Sequence, residues 1–253
     1  MGLREPIRAL QDLLPPARRG ACVLAYHLVE GGTGGVVDLP LQTFLTQLEV
    51  LQRAYRVVAL HDVDPDGDPR QVVLTFDDAY ANFYDVAWPE LRARGLPATL
   101  YVPVGFVDGG PAPIRGTTAT ACTWEQLASM AAQGLDIGSH TVSHPDVGTL
   151  DAAGLDAEIA GSRTTLEERL GVPVRSFCYP RALVHARAEA VVARTYATAT
   201  VGGGSRYTSR TDPHTIERVS IRSDHDLATF AAILRSRYWI EEGFADVVRQ
   251  LRR

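Results

Sequence analysis

Short apolar runs alternate with segments of helical periodicity along almost the whole chain. The predicted strands span residues 22–26, 56–60, 72–76, 98–102, 135–139, 174–179, 197–200 and 216–221. The predicted helices span residues 41–54, 155–170, 186–194 and 227–237, with a helix broken near Pro89 that stops at Gly95 and another that ends before Gly134. This alternation implies parallel βαβ units. A chain of 253 residues therefore predicts an α/β barrel in a single domain, with a doubly wound open sheet as the alternative.

Composition argues against several classes of function. The net charge of −5 does not favour a broad nucleic-acid interface, which needs a basic face. No apolar run is long enough to span a membrane, and the first twenty residues lack the apolar core of a signal peptide, so we expect a cytoplasmic protein. Its three cysteines are odd in number and widely spaced, so reduced, buried thiols are expected at Cys22, Cys122 and Cys178.

Polar side chains follow several predicted strands directly. His27, Asp77 with Asp78, His140, and the segment 179–181 each come at such a strand end. Because the carboxyl ends of parallel strands lie at the same edge of a barrel or sheet, these groups are expected to converge there.

The two adjacent aspartates suit different tasks. Neighbouring residues in extended backbone point to opposite sides, so Asp77 and Asp78 cannot share one role unless the strand has ended. One carboxylate then binds a metal ion, and the other lies beside the attacking water. The alternative is that the pair caps the helix that follows.

His140 and His144 are four residues apart in SHTVSHP. On a helical turn such a pair lies on one face and binds one ion. Two imidazoles and a carboxylate leave coordination positions open, which is typical of catalytic sites. We expect one divalent ion, zinc first, with cobalt, nickel and iron as alternatives, to acidify water and polarise a carbonyl.

These motifs resemble those of the polysaccharide deacetylases, the NodB-homology or carbohydrate esterase family 4 enzymes. LTFDDAYANFYDVAWPELRARGLPATLYV is similar to their first motif region and SHTVSHP to their second. VLAYHLV, the helix LQTFLTQLEVLQRAYRVVAL and the third-motif segment FCYPRA resemble the branch that includes biofilm poly-N-acetylglucosamine deacetylases. The resemblance spans residues 27–181 and continues more weakly to about residue 221.

The resemblance implies a distorted (β/α)7 barrel with one divalent ion. A catalytic domain over residues 19–253 would follow an N-terminal extension over residues 1–18. The family's catalytic base matches Asp77, and its metal ligands match Asp78, His140 and His144. In the similar branch an N-terminal histidine acts as general acid, and His27 stands at that position.

The third motif supplies the remaining expected roles. By motif match, the backbone N–H of Arg181 would stabilise the oxyanion. Substrate contacts are expected from Tyr179, Pro180 and Arg218. The resemblance therefore predicts N-deacetylation of a carbohydrate or glycoconjugate. The alternatives are hydrolysis of O-acetyl esters or small amides, and a carbohydrate-binding module without turnover.

The chain departs from the family pattern at several positions. Ala79 stands where glycine is usual, and a glycine-only backbone conformation would be strained there. The arginine that normally orients the base is replaced by Cys178. Arg218 is a candidate substitute, and a surface ion pair is its alternative. Arg181 and Ala182 stand where an aromatic residue and glycine are usual, and the Arg181 guanidinium is a candidate for binding an acidic sugar or phosphate.

The other histidines, His61, His185, His214 and His225, are expected to be structural, with His185 the first to reconsider. Tyr207 and Arg210 lie in a predicted flexible loop that is a candidate groove lining. The sequence gives no indication of the oligomeric state.

Overall fold

The computed structural model describes residues 19–114 and 118–235. Its strands are β1 (Cys22–Tyr26), β2 (Leu28–Val29), β3 (Asp38–Leu39), β4 (Arg56–Val57), β5 (Gln71–Phe76), β6 (Thr99–Val102), β7 (Asp136–Ser139), β8 (Ser176–Cys178), β9 (Thr198–Gly202) and β10 (Ile216–Ser220). Its α-helices are α1 (Leu41–Ala54), α2 (Trp88–Ala93), α3 (Val104–Val107), α4 (Trp124–Ala132), α5 (Ala152–Leu155), α6 (Gly161–Leu170), α7 (Ala186–Thr195) and α8 (Leu227–Leu234). The predicted extension over residues 1–18 lies outside the described residues.

Seven parallel strands close into a barrel. Their order is β1-β10-β9-β8-β7-β6-β5, and β1 pairs with β5 to complete the ring, from Cys22 opposite Val72 to Tyr26 opposite Phe76. β4 pairs with the beginning of β5, whereas β2 and β3 form a separate parallel pair. The predicted single-domain (β/α)7 barrel is confirmed, and the open-sheet alternative is wrong.

The apolar core explains why β1 and β5 are continuous apolar runs rather than alternating ones. Every residue of both strands is buried, as expected for parallel strands covered on both faces. Outside the barrel wall, the rings of Tyr26, Phe44, Phe76 and Phe83 pack against one another with centroids 4.7 to 6.1 Å apart. Burying each such ring contributes about 1.5–3 kcal/mol, so this cluster fixes α1 against the strands that carry the site.

Some predicted element boundaries are wrong. The strand expected over residues 56–60 ends at Val57, and that expected over 174–179 is Ser176–Cys178. Pro89 lies in the first turn of α2, where its missing N–H breaks no helical hydrogen bond, and a π-helical turn at Phe83–Ala87 precedes it. A second π-helical turn, Asp156–Ala160, interrupts the helix expected over 155–170. The last two residues of the helix expected over 227–237 lie outside the described residues.

The barrel brings the predicted chemical groups to one edge. Asp77, His140 and Tyr179 directly follow the last residues of β5, β7 and β8, and His27 directly follows β1. The described part of the chain contains no helix with the length and apolarity needed to cross a bilayer.

Candidate active site

A cavity of about 220 Å³ opens at the carboxyl edge of the barrel. Its lining residues are Ala25, His27, Asp77, Asp78, Pro113, Ile114, His140, His144, Tyr179, Arg181, Ala182, Gly202, Arg218 and Ser220. All but one of the predicted site residues therefore meet here. The exception is Pro180, which is buried in a 3-10 turn and does not line the cavity.

Asp77 is held by a bidentate ion pair with Arg218. The two terminal guanidinium nitrogens donate to Oδ1 at 2.7 Å and Oδ2 at 2.8 Å, and both side chains are almost fully buried. One of these nitrogens also donates to Thr75 Oγ1 at 2.9 Å, and the Thr75 hydroxyl donates in turn to the Leu24 carbonyl. The surface ion pair considered for Arg218 is wrong. The guanidinium is engaged by Asp77, so it orients this carboxylate rather than standing free for substrate.

The ion pair decides the charge of Asp77. Burial by itself raises the pKa of this carboxyl, but the charge and hydrogen bonds of Arg218 outweigh burial and hold the pKa below its usual range. Asp77 is therefore ionised throughout the physiological pH range. Each carboxylate oxygen has a second lone pair, so Arg218 leaves acceptor capacity on the cavity side.

Cys178 fills the space beside this pair. Its Sγ lies 2.9 Å from an Arg218 nitrogen and 3.9 Å from Asp77 Oδ2. Cys178 therefore places a small thiol where the family that the motifs resemble has arginine. The guanidinium that pairs with Asp77 comes from Arg218 on β10 instead. Burial raises the pKa of the thiol well above its usual value, so it stays protonated.

Left-handed backbone separates the roles of the two aspartates. β5 ends at Phe76, and Asp78 and Ala79 have φ of 73° and 50°. Ala79 adopts this conformation where glycine is usual, at a cost of about 1 kcal/mol, and its methyl is fully buried. The turn lets Asp77 face Arg218 while Asp78 faces the histidines.

Asp78, His140 and His144 form a candidate metal centre. Asp78 Oδ1 lies 3.6 Å from His140 Nε2 and 3.8 Å from His144 Nε2, and within residues 19–114 and 118–235 this buried oxygen has no hydrogen-bond partner. Zinc held at about 2.0–2.1 Å by tetrahedral ligands needs ligand atoms about 3.3 Å apart, which a small contraction here would provide. His140 Nδ1 is 2.8 Å from the Cys178 carbonyl, an arrangement that directs Nε2 to the centre.

The two histidines do not lie on a helical turn, and this prediction was wrong. Thr141 and His144 have φ of 68° and 55°, so the segment is a loop that curls back on itself. Glu158 binds the middle of that loop. One of its oxygens accepts the N–H groups of Val142 and Ser143 at 2.8 Å, and the other accepts the Ser143 hydroxyl.

Burial leaves the histidines in the form that binds metal. It lowers the pKa of His140 to about 3 and that of His144 to about 4, so both imidazoles are neutral at pH 7. Burial and the adjacent charge of Asp77 raise the pKa of Asp78 well above its usual range. A cation at this centre would favour the ionised carboxylate.

His27 lies beside Asp77. Its Nε2 is 3.7 Å from Asp77 Oδ2, and its buried Nδ1 has no hydrogen-bond partner among the described residues. Burial lowers the pKa of His27, the Asp77 charge opposes this, and the Arg218 charge adds to the lowering. The lowered pKa favours the neutral imidazole near pH 7.

The third-motif segment forms the remaining wall. Tyr179 is 1% exposed, and its hydroxyl has no hydrogen-bond partner in the part of the chain that the structure describes. Arg181 and Ala182 are exposed and have φ of 57° and 60°. The Ala182 methyl lies only 2.4 Å from the place a Cβ on Gly202 would take, so β9 needs glycine opposite it.

Other residues considered from the sequence lie outside the cavity lining. His214 Nε2 is 3.1 Å from the Tyr196 carbonyl, and neither His61, His185 nor His225 lines the cavity. Tyr207 instead pairs by its backbone with Ala21. The three cysteines are free and buried, as expected, at Cys22, Cys122 and Cys178.

Comparison with known proteins agrees with this geometry. The sequence profile of the family described as "Polysaccharide deacetylase" matches residues 64–199, more than half of the chain. The chain belongs to the polysaccharide deacetylase family. Over 165 residues it is 25% identical to YxkH of Bacillus subtilis, which is named as a polysaccharide deacetylase, covering 62% of this chain and 55% of YxkH. Over 104 residues it is 34% identical to a chitin deacetylase of Pestalotiopsis, covering 41% of this chain and 31% of that enzyme.

The fold agrees over most of the described barrel. The Streptococcus pyogenes deacetylase PplD, solved with acetate, superposes with a TM-score of 0.70 at 22% identity, covering 83% of this chain and 95% of PplD. At this identity the similarity shows a shared fold. The expected membership of this family is confirmed, and the relatives it resembles are named as deacetylases.

Proposed function

We propose that the protein is a metal-dependent deacetylase that hydrolyses the acetamide of an N-acetylated sugar or glycoconjugate. The observation that carries the proposal is that two adjacent carboxylates on one turn have different surroundings, one an arginine and the other two histidines. Asp77 is neutralised by Arg218, and Asp78 faces His140 and His144 with an oxygen that no other described residue hydrogen-bonds. A helix cap needs neither partner, so the capping alternative does not account for the arrangement.

Asp78, His140 and His144 would hold one divalent ion, for which zinc suits two imidazoles and a carboxylate. When bound, the ion would lower the pKa of a water molecule and polarise the acetamide carbonyl. Cobalt, nickel and iron suit the same donor set.

The protein's own groups divide the proton transfers between them. Asp77, fixed by Arg218, accepts a proton from the attacking water. The backbone N–H of Arg181 donates to the oxyanion that develops on the carbonyl oxygen. His27, in its protonated form, delivers a proton to the leaving amine. Its Nε2 lies 3.7 Å from Asp77 Oδ2, so acid and base flank the same cavity.

The chitin deacetylase relative supports an N-acetylated sugar as the substrate class. The matched region covers about half of YxkH and less of the Pestalotiopsis enzyme, so the activity of the whole protein is part of the proposal. O-acetyl esters and small amides remain the second class to assay. A binding module without turnover has less support, because the base, acid and metal candidates all line one cavity.

The decisive experiment is acetate release by purified protein reconstituted with zinc or cobalt and supplied with N-acetylated or O-acetylated saccharides. Asp77→Asn is expected to abolish turnover while zinc binding persists. Since this variant strips Arg218 of its counterion, it is expected to be about 3–5 kcal/mol less stable, so circular dichroism must show that it is folded. Asp62→Asn, at an exposed carboxylate, is the matched control. Unchanged turnover in folded Asp77→Asn would exclude this residue as the base.

A further inference from the structure

We propose that Arg181 selects N-acetylated saccharides that carry an anionic group, a carboxylate or phosphate, close to the acetamide. The inference rests on the proposed deacetylation and specifies its substrate class. It concerns the Arg181 side chain, whereas the proposed oxyanion contact uses the backbone N–H of the same residue.

The charges that face the cavity leave an excess of positive charge unless such an anionic group is present. Asp77 and Arg218 neutralise each other through a bidentate pair. Asp78 is directed at the candidate metal centre, where a divalent ion would add more positive charge than one carboxylate removes. Among residues 19–114 and 118–235, Arg181 makes no ion pair, although it lines the same cavity. A ligand with negative charge would complete this arrangement.

The charge of Arg181 reaches the reacting region. The residue lines the same cavity as Asp78 and His144, so its guanidinium belongs to the surroundings of the candidate metal ligands. Glu217, next to Arg218 on β10, does not neutralise the positive charge of Arg181. Its carboxylate instead accepts N–H groups from Gly204 and Ser205 at 2.7 and 2.8 Å.

The backbone at Arg181 also indicates a specific role. Arg181 and Ala182 are consecutive exposed residues with positive φ, which costs about 1 kcal/mol for each L-residue. Strained backbone of this kind concentrates at ligand-binding sites. It presents an arginine at the rim, and a guanidinium forms two parallel hydrogen bonds with a carboxylate or phosphate.

Other residues of the lining are apolar. Pro113 and Ile114 contribute apolar surface to the cavity, whereas Arg181 contributes a guanidinium. A sugar in the cavity is thus expected to direct its anionic substituent to the Arg181 side. A neutral N-acetylglucosamine chain would leave the guanidinium without a partner.

The test compares the zinc enzyme with Arg181→Met and Arg181→Lys on three substrates. Diacetylchitobiose is neutral, the hyaluronan disaccharide supplies a carboxylate, and N-acetylglucosamine 6-phosphate supplies a phosphate. The parent enzyme is expected to favour an anionic substrate over diacetylchitobiose by about tenfold in kcat/KM, and Arg181→Met to remove that ratio. Arg181→Lys should keep part of it, and added salt should reduce it. Arg210→Met, at an exposed arginine outside the cavity lining, is the matched control.

Calorimetric binding of the same saccharides to zinc-loaded protein separates this inference from the proposed reaction. If no substrate is hydrolysed but anionic saccharides bind more tightly and lose that advantage in Arg181→Met, the deacetylation proposal fails and the selectivity stands. A substrate ratio and a binding ratio that are both unchanged in Arg181→Met would overturn the selectivity. A ratio seen with only one anionic saccharide identifies carboxylate or phosphate as the recognised group.

Discussion

The guanidinium of Arg218 donates one hydrogen bond to each carboxylate oxygen of Asp77, at 2.7 and 2.8 Å, across 141 positions of the chain. Arg218 lies on β10 and Asp77 follows β5. Both strands pair with β1, and this closure of the barrel brings the two residues together. The pair does two things at once. It keeps the predicted base ionised, and it fixes the plane of the carboxylate.

Replacing Arg218 should therefore affect both stability and pH dependence. Arg218→Met leaves a buried carboxylate without its cation, which is expected to cost about 3–5 kcal/mol. The pKa of Asp77 should rise, so the acidic limb of the kcat/KM profile moves to higher pH. Arg218→Lys keeps a charge but loses the two-point contact, and it should lower kcat more than it raises KM. A pH–rate profile identical to that of the parent would show that Arg218 does not act through Asp77.

The sequence predicted which residues converge because a barrel places every strand end at one edge. His27, Asp77 and His140 each follow an apolar run, and that position alone is sufficient to predict their proximity. Thr75 was missed, although a polar residue inside the run VVLTF was a usable signal. Its hydroxyl links Arg218 to the Leu24 carbonyl.

Glu158 was missed for a different reason. Two of its three partners are backbone N–H groups in a loop 15 and 16 residues away, and backbone groups leave no mark on a sequence. The π-helical turn that contains Glu158 also shifts the helical register, which side-chain periodicity does not reveal. The left-handed residues Thr141 and His144 were missed likewise, since neither residue type requires positive φ.

Glu158 is expected to set metal affinity without contacting the metal. Glu158→Ala removes the acceptor for Val142 and Ser143, so the loop between the two histidines should loosen. Zinc affinity should fall by about 10- to 100-fold, as measured with a competing chelator. Glu168→Ala, an exposed glutamate on α6, is the matched control. The positioning role is refuted if zinc affinity in folded Glu158→Ala equals that of the control.

Gly202 and Ala182 should behave as a coupled pair. Gly202→Ala places a methyl 2.4 Å from the Ala182 methyl and is expected to cost about 1–3 kcal/mol. In an Ala182→Gly background that cost should largely disappear, and Ala182→Gly alone should relieve about 1 kcal/mol of left-handed strain. Urea denaturation of the four proteins measures the coupling. Additive free energies of unfolding would contradict the packing described here.

Without a metal ion, the buried carboxyl of Asp78 should lower the free energy of unfolding. Asp78 has a raised pKa in the folded state, so its contribution to stability is fully present below the unfolded value near 3.9 and is lost as pH rises from there through the raised folded pKa. At pH 7, metal-free Asp78→Asn should be about 1–3 kcal/mol more stable than the parent, because asparagine carries no charge and tolerates positive φ. Zinc should raise the Tm of the parent and not that of the variant. A lower Tm for the metal-free variant would contradict this account.

The two buried histidines predict how the metal-free protein responds to acid. The pKa values of His140 and His144, about 3 and about 4, lie below the unfolded value near 6.5, so the unfolded chain binds more protons below that pH. Stability is therefore complete above pH 6.5 and should fall as pH drops towards about 4. In chelator-treated protein, the double variant His140→Gln, His144→Gln should show a shallower decline of Tm over this interval, whatever its Tm at pH 7. His61→Gln, at a partly exposed histidine outside the cavity lining, should keep the parental slope. Equal slopes in the double variant and the parent would place the acid sensitivity elsewhere in the molecule.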